Sequence, residues 1–190
     1  MKKVKIVIKH SLMLVLVFHL YCGSVQAQQR KVSKAEIYTH VLNEFLEPLS
    51  EDSKRNMLVV NHRVKKLTSK RKFEDPKLKS LLRKSRLQLI AGRIRSKDIK
   101  VSKEVVLLSP AEIDGFFKTD IGEGWKTFYQ RYPAALGIVQ MSRPVFSRAD
   151  GLAMIYVSHQ GGPLFGSGEL WLISLGEKLK TIRVFPLWVS

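Results

Sequence analysis

The sequence predicts an α+β fold, in which N-terminal helices pack on a C-terminal antiparallel β-meander of about four to five strands. In the N-terminal part, 28–103, apolar residues recur at helical spacing behind helix-start signals. In the C-terminal part, 104–190, apolar residues form short runs separated by short gaps, which favour antiparallel neighbours. No Gly/Ser-rich or Pro-rich linker divides the two parts, so we expect residues 28–190 to form a single domain.

Two helices are predicted in the N-terminal part. The capping box Ser33-Lys34-Ala35-Glu36 precedes apolar residues at helical spacing, which predicts a helix over about 34–46. Asp75-Pro76 has the form of an N-cap followed by proline at the first helical position, and the second helix should end near Gly92. The polar face of this second helix carries Lys79, Arg83, Lys84 and Arg86.

Two strands and two further helical segments are predicted between the helices and the meander. Residues 57–60 and 104–108 are short apolar runs typical of strands. The capping box Ser109-Pro110-Ala111-Glu112 predicts a short helix through Phe117. Residues 125–132 are expected to form one or two helical turns before Pro133.

The meander is predicted from four runs of apolar residues. They cover residues 136–142, 152–158, 169–175 and 181–189. Pro186 should place the end of the last strand at a sheet edge, because proline cannot donate to a ladder. The run 153–157 is apolar on both faces, so it should be central, with helices on one side and other structure on the other. Ile155 and Tyr156 should therefore point to opposite faces.

The first 27 residues have the layout of a secretory signal. Four lysines precede an apolar run over 12–21, and Val25 and Ala27 occupy the positions that a signal peptidase reads. The apolar run is about half as long as a membrane-spanning helix needs. We expect cleavage near Ala27-Gln28 and export to the periplasm or the extracellular space.

Cys22 is the only cysteine and lies inside the predicted signal. The exported chain would then lack disulfides and any cysteine nucleophile, which favours a bacterial exported protein. The alternative is a lipoprotein anchored through Cys22. That alternative is disfavoured, because small residues should precede the lipidated cysteine and Leu20 and Tyr21 stand there.

The chain is strongly basic, with a formal net charge of +17. Most of the excess positive charge lies between Lys54 and Lys103, where the sequence contains 18 Lys and Arg but only three acidic residues. Its densest part is a candidate anion-binding cluster formed by Lys65, Lys66, Lys70, Arg71 and Lys72. Such clusters bind polyanions through counterion release. The alternative is a solvated face with no ligand.

Several segments of the C-terminal part resemble a group of small exported proteins of Bacteroidetes-type bacteria. The shared features are a tryptophan with an aromatic Tyr-Pro stretch (125–133), a Ser-Arg-x-x-Phe-Ser element (142–147), an apolar Tyr-Val strand (153–157) and a Gly-rich hairpin (161–168). The resemblance covers roughly residues 104–175. It implies export and this order of elements, and it implies no activity.

Catalytic and metal-binding signatures are weak. His40, His62 and His159 lack the spacing of zinc ligands, so no metal or cofactor is predicted, and His159 is placed in a hairpin loop. Ser167 lies between glycines in a predicted strand-to-strand loop, whereas a serine nucleophile elbow joins a strand to a helix. Turn formation with positive φ is the preferred explanation of those glycines.

Two sets of side chains leave an enzyme or sugar-binding role open. Asp114, Asp120 and Glu123 could act as acid and base, although solvated loop carboxylates are the preferred interpretation. The aromatic residues Trp125, Phe128, Tyr129 and Tyr132 could stack on sugars, although their spacing of three and four favours a buried helical stripe.

The sequence therefore favours a non-enzymatic, exported binding or envelope-associated module with a basic surface. Its expected partner is an anionic envelope polymer or lipid surface, and export disfavours nucleic acid. The alternative is a secreted hydrolase or carbohydrate-processing enzyme whose site is assembled from distant residues. An enzyme would need convergent polar groups around a concave site, which a binding module would lack.

Overall fold

A computed structural model of the chain describes residues 31–47, 54–63, 74–86, 93–101 and 103–190. The contacts divide the chain into Met1–Lys31, of which only Lys31 is described, and Val32–Ser190, which contains every element below. The predicted signal peptide, the basic cluster at 65–72 and the expected helix end near Gly92 lie outside the described residues.

The described residues form four α-helices, one 3-10 turn and seven strands. The helices are α1 (Lys34–Leu46), α2 (Pro76–Arg86), α3 (Pro110–Phe116) and α4 (Ile121–Arg131), and the 3-10 turn covers Ser96–Asp98. The strands are β1 (Met57–Asn61), β2 (Val105–Leu108), β3 (Ala135–Met141), β4 (Val145–Ser147), β5 (Leu152–Gly162), β6 (Phe165–Leu175) and β7 (Leu179–Val189). This content confirms the α+β class.

All seven strands belong to one mixed sheet. Its order is β2-β1-β3-β5-β6-β7, with β4 paired to β5 beside this path. β1 runs parallel to both β2 and β3, whereas the remaining pairs are antiparallel. The predicted meander of four to five strands was therefore too small, because β1 from the N-terminal part lies between β2 and β3. Parallel pairing requires long crossover connections: the chain between β1 and β2 carries α2, and the chain between β2 and β3 carries α3 and α4.

The helix starts follow the predicted caps. The Ser33 side chain accepts a hydrogen bond from the Glu36 N–H at 3.2 Å, and the Glu36 carboxylate accepts one from the Ser33 N–H at 2.8 Å. Ser109 and Glu112 repeat this arrangement at the start of α3. α4 is longer than predicted, because the Asp120 side chain accepts a hydrogen bond from the Glu123 N–H at 2.9 Å and starts the helix at Ile121.

Helices cover both faces of the sheet, which corrects the prediction of helices on one side only. On the face that we call the α1 face, α1 packs its buried residues against apolar side chains of β1, β3, β5 and β6. On the opposite face, the α2 face, α2 packs on β4 to β7 and α4 packs on β1 and β3. Helices are also not confined to the N-terminal part, since α3 and α4 stand between β2 and β3.

β5 is the central strand, as predicted. Ile155 belongs to the core cluster of α1, and Tyr156 packs against the core cluster of α2, so the two side chains point to opposite faces. β7 is an edge strand, and Pro186 lies at a register shift opposite Glu169, which confirms the edge prediction. None of the helices in the described parts of the chain has the length and apolar character needed to cross a membrane.

Candidate functional site

The candidate site is the exposed basic side of α2. Asp75 starts this helix by accepting hydrogen bonds from the N–H groups of Lys77 at 2.7 Å and Leu78 at 3.4 Å. Leu78, Leu81 and Leu82 are buried against side chains of β4, β5, β6 and β7. Burial of three leucines on one side fixes the rotation of the helix, so its polar side must face the solvent.

Four cations occupy that solvent-facing side. They are Lys77, Lys79, Arg83 and Lys84, all exposed, and we call them the α2 basic face. The helix contains no acidic residue. Lys79, Arg83 and Lys84 are among the residues that the sequence predicts there; the remaining one, Arg86, belongs to α2 but its side chain is not described. Sequence reasoning missed Lys77, although its separation of seven residues from Lys84 places both on the same side of a helix.

An acidic residue of the described part of the chain lies against the α2 basic face. Asp150, in the turn between β4 and β5, accepts a hydrogen bond from the Ser147 hydroxyl at 2.6 Å and pairs with the Lys77 ammonium at 3.5 Å. The Ser147 hydrogen bond is the main cause that lowers the pKa of Asp150, and the charges of Lys77 and Lys84 lower it further. The carboxylate is thus ionised at neutral pH and balances about one of the four positive charges.

The predicted cluster Lys65, Lys66, Lys70, Arg71 and Lys72 lies outside the described residues. In the sequence it directly precedes α2, because only Phe73 and Glu74 separate Lys72 from the Asp75 cap. The two sets of cations are therefore neighbours along the chain.

The three histidines of residues 28–190 are distributed over the fold. The His40 Nε2 atom, on α1, lies 3.0 Å from the Thr181 hydroxyl and 3.2 Å from a Glu44 carboxylate oxygen. His62 follows β1. Within the described ranges, no group of three His, Cys, Asp or Glu residues is arranged to hold a metal ion.

His159 is a strand residue, so its placement in a hairpin loop was wrong. It lies in β5, with its Nε2 atom 3.1 Å from the Leu136 carbonyl oxygen and its ring 5.8 Å from the rings of Phe45 and Phe165. Burial lowers the pKa of His159, although the Leu136 hydrogen bond and the Glu169 charge act in the opposite direction. The ring therefore packs as a neutral group at neutral pH.

Ser167 is also a strand residue and faces His159 across the β5–β6 ladder. The glycines beside it do not form the turn, and the positive φ values among the described glycines belong to Gly137 and Gly151 instead. Gly168 has a packing role, because a Cβ atom there would collide with the indole of Trp188. That indole N–H donates to the Tyr156 hydroxyl at 3.0 Å. The local backbone therefore differs from the strand-to-helix turn of a serine nucleophile elbow.

Of the three carboxylates interpreted as solvated loop acids, Asp114 and Glu123 are helix residues, whereas Asp120 lies just before α4. Asp114 lies in α3, Asp120 caps α4 and Glu123 pairs with Lys126 at 3.5 Å. The loop interpretation failed because glycines flank these acids in the sequence and weaken the helix signal. All three side chains belong to exposed residues.

The aromatic stripe of α4 is largely core, as the spacing predicts. Trp125 and Phe128 are buried, and their rings meet edge to face with centroids 5.4 Å apart. Tyr129 is half-buried, donates its hydroxyl proton to the Gly161 carbonyl oxygen at 2.8 Å and lies under the Arg55 guanidinium at 4.8 Å. These rings anchor α4 to the sheet.

Among the described residues, the tyrosine, histidine and carboxylates that the enzyme alternative would use lie at separate places in the fold. Tyr156 points to the α2 face and His159 lies on the α1 side of the same strand, beside Phe45. Asp114 and Glu123 belong to the exposed surfaces of α3 and α4.

Comparisons with protein-family models, with curated proteins and with solved structures found no match to this chain.

Proposed function

We propose that this chain is an exported, non-enzymatic binding module whose basic surface binds an anionic envelope polymer or an anionic lipid surface. The observation that carries the proposal is the α2 basic face, with four exposed cations on a helix that contains no acid. Anionic polymers and surfaces attract such clusters through the release of condensed counterions.

The mode of binding follows from how α2 is held. A free basic amphipathic helix inserts its apolar side into a lipid interface. Here Leu78, Leu81 and Leu82 are already buried in the protein, so the leucines are not available to lipid. Binding then rests on charge, and its strength should fall steeply with salt.

The enzyme alternative has less support. It needs a nucleophile or an acid–base pair held within hydrogen-bond distance around a substrate. Tyr156 packs on the α2 face, His159 lies beside Phe45, and the carboxylates of α3 and α4 are exposed. We therefore keep the hydrolase or carbohydrate-processing function as the second hypothesis.

The test is a salt titration of binding to heparin and to vesicles that contain an anionic lipid. Replacement of the α2 basic face by glutamine (K77Q, K79Q, R83Q and K84Q) should reduce the slope of log K against log salt by about three, since each neutralised charge contributes about 0.7–0.9. The matched control replaces the four exposed cations Lys54, Lys118, Lys126 and Arg131 by glutamine. The control lowers the net charge by the same amount as the α2 variant. It should leave most of the slope of log K against log salt unchanged.

A second variant addresses the cluster that precedes α2. Glutamine at Lys65, Lys66, Lys70, Arg71 and Lys72 should lower the slope further when combined with the α2 changes. An equal loss of slope in the α2 variant and the control would contradict the proposal, because binding would then follow net charge without a defined surface. A slope for the α2 variant equal to that of the parent would also contradict it, because the α2 basic face would then make no contact with the ligand.

The proposed export and cleavage are tested by a separate measurement. Mass spectrometry of the N-terminus of the protein recovered from the envelope fraction and the medium should find a chain that begins at Gln28. A lipid-modified Cys22 would contradict the proposed processing.

A further inference from the structure

A row of four paired residues crosses the α2 face of the sheet from β3 to β7. Its members are Gln140, Ser158, Gly168 and Trp188, each opposite the next in the ladders. Ser158 is two residues from Tyr156, whose side chain lies on the α2 face, so the row lies on that face. None of the four is ionisable, and none belongs to a core cluster of the described residues. The row is therefore neutral and ends in one aromatic ring.

Trp188 holds its indole ring in a fixed orientation at the end of this row. The ring lies across Gly168, since a Cβ atom there would collide with three adjacent atoms of the five-membered ring, Nε1, Cε2 and Cδ1. The indole N–H donates to the Tyr156 hydroxyl at 3.0 Å. These contacts use the donor of the indole, yet Trp188 remains 36% exposed. The surface that the ring offers to a ligand is therefore aromatic carbon.

Ser158 is buried beside this ring position, but its hydroxyl has no partner. Only 6% of the residue is exposed, and its side chain forms no hydrogen bond within the described residues. Every fully buried side-chain oxygen and nitrogen of those residues has a partner, so the Ser158 oxygen must reach the surface at the row. By contrast, the buried hydroxyls of Ser142 and Ser147 are hydrogen-bonded. A ligand that bonded to Ser158 would recover the free energy of an unmade hydrogen bond.

Further neutral hydrogen-bonding groups flank the row. Gln160 follows Ser158 on the same face and is exposed, and Gln140 is half-buried. The Tyr156 hydroxyl accepts the indole N–H and donates to no other group of the described chain. Amide and hydroxyl side chains both donate and accept hydrogen bonds. One exposed ring thus shares this face with several uncharged donors and acceptors.

We propose that Trp188, Ser158, Gln160 and Gln140 form a binding site for an uncharged oligosaccharide. The C–H groups on one side of a sugar ring pack on the face of an aromatic ring, because that face carries partial negative charge. Sugar hydroxyls donate and accept, which matches amide and hydroxyl side chains. The row spans three strand spacings, about 14 Å, and is therefore longer than a single sugar ring.

Other occupants fit the row less well. A lipid or an apolar protein partner needs a continuous apolar surface, whereas Gln140, Ser158 and Gln160 interrupt it. A nucleic acid needs cations that follow its backbone, and the four paired positions hold none. The inference does not rest on the proposed function, because this site is neutral and the α2 basic face binds through charge.

Isothermal titration calorimetry and tryptophan fluorescence of the whole protein test the site, with neutral hexasaccharides of glucose, mannose, galactose and N-acetylglucosamine as probes. At least one probe should bind, and equally well at low and high salt, because no charge is neutralised. W188A should bind at least about tenfold more weakly, as expected for a single aromatic anchor. W188F keeps a ring that can stack on the sugar and should lose a smaller factor.

Substitution of Ser158 separates an effect on binding from an effect on folding. S158A removes a hydroxyl without a partner, so it should not lower the unfolding midpoint, but it should weaken binding by about threefold to tenfold. The matched control S167A removes a hydroxyl from the opposite face of the neighbouring strand and should bind as the parent does. S158A also gives an answer if W188A does not fold.

The site would be overturned if none of the four probes binds the parent, or if W188A or S158A binds as tightly as S167A. The outcome is separable from that of the heparin experiment. The α2 variant should retain sugar binding, and W188A should retain the salt slope for heparin. Loss of sugar binding in the α2 variant would also overturn the site, because the ligand would then be held by the α2 basic face.

Discussion

Replacement of Ile155 by aspartate tests whether β5 is the central strand of the fold. Ile155 has no exposed surface and lies opposite Trp171 of β6 in the ladder. Its side chain is part of the core cluster that α1 covers. An aspartate there has no room to reach water and finds no cation in that cluster.

The loss in the free energy of unfolding caused by I155D has two contributions. Truncation of a buried isoleucine costs about 2–5 kcal/mol, and burial of an unpaired polar group adds about 1–3 kcal/mol more. We expect a loss of at least about 3 kcal/mol in the free energy of unfolding, a large part of the roughly 5–15 kcal/mol of an ordinary domain. For a chain of this size the unfolding midpoint should fall by at least about 6–12 °C.

Thermal and urea unfolding, followed by circular dichroism, measure this loss. Two controls bracket the result. I155V removes one methylene and should cost about 0.5–1.5 kcal/mol. Q160D places the same aspartate at an exposed position of the same strand and should cost less than about 1 kcal/mol. If I155D unfolds within a few degrees of Q160D, the reasoning about β5 and its two covered faces is refuted.

Two further predictions concern Gly137 and His159. Gly137 has φ +137°, and a Cβ atom there would collide with the Gln160 carbonyl oxygen and lie 2.8 Å from the His159 Nε2 atom. G137A should therefore cost about 1–3 kcal/mol or more in urea unfolding, whereas G115A, whose Cβ atom meets nothing within 4 Å, should cost nothing. Because burial holds the pKa of His159 below its ordinary value of 6.5, the unfolded chain binds more protons than the folded chain, and stability falls as the pH drops through that value towards the folded pKa. H159Q should flatten the stability profile between about pH 7.5 and 5.5, and an unchanged slope would contradict this assignment.

Local signals in the sequence predicted a helix well where the residues that start it, and the hydrogen bonds between them, lie within one short segment. The start of α1 at Lys34 follows from Ser33 and Glu36, which bond to each other's backbone N–H groups within four residues. α4 was predicted too short, because Gly122 and Gly124 argue against a helix. The fold explains Gly124, since a Cβ atom there would lie 2.5 Å from the Phe117 ring and 2.7 Å from the Phe116 carbonyl oxygen. The need for a residue without a Cβ atom at position 124 arises from the contact between α3 and α4, so the sequence alone does not reveal it.

The apolar runs that form strands could be recognised in the sequence, but which strands pair with each other could be predicted only in part. The hairpins from β5 to β7 follow from short connections, which leave no other neighbour within reach. The parallel pairing of β1 with β2 and β3 depends on long connections and on the helices that they carry. A run such as Met57-Leu58-Val59-Val60 looks the same at a sheet edge and between two partners.

The composition and the periodicity of the sequence by themselves determined that the protein is basic and that α2 presents its cations on one side. Tertiary structure alone decided that this side faces the solvent and that Asp150 meets Lys77. The physical reason is the sequence separation of the residues that interact. Helix caps and amphipathic patterns depend on neighbours within about one or two turns, whereas the convergence of charged side chains depends on how the sheet brings distant segments together.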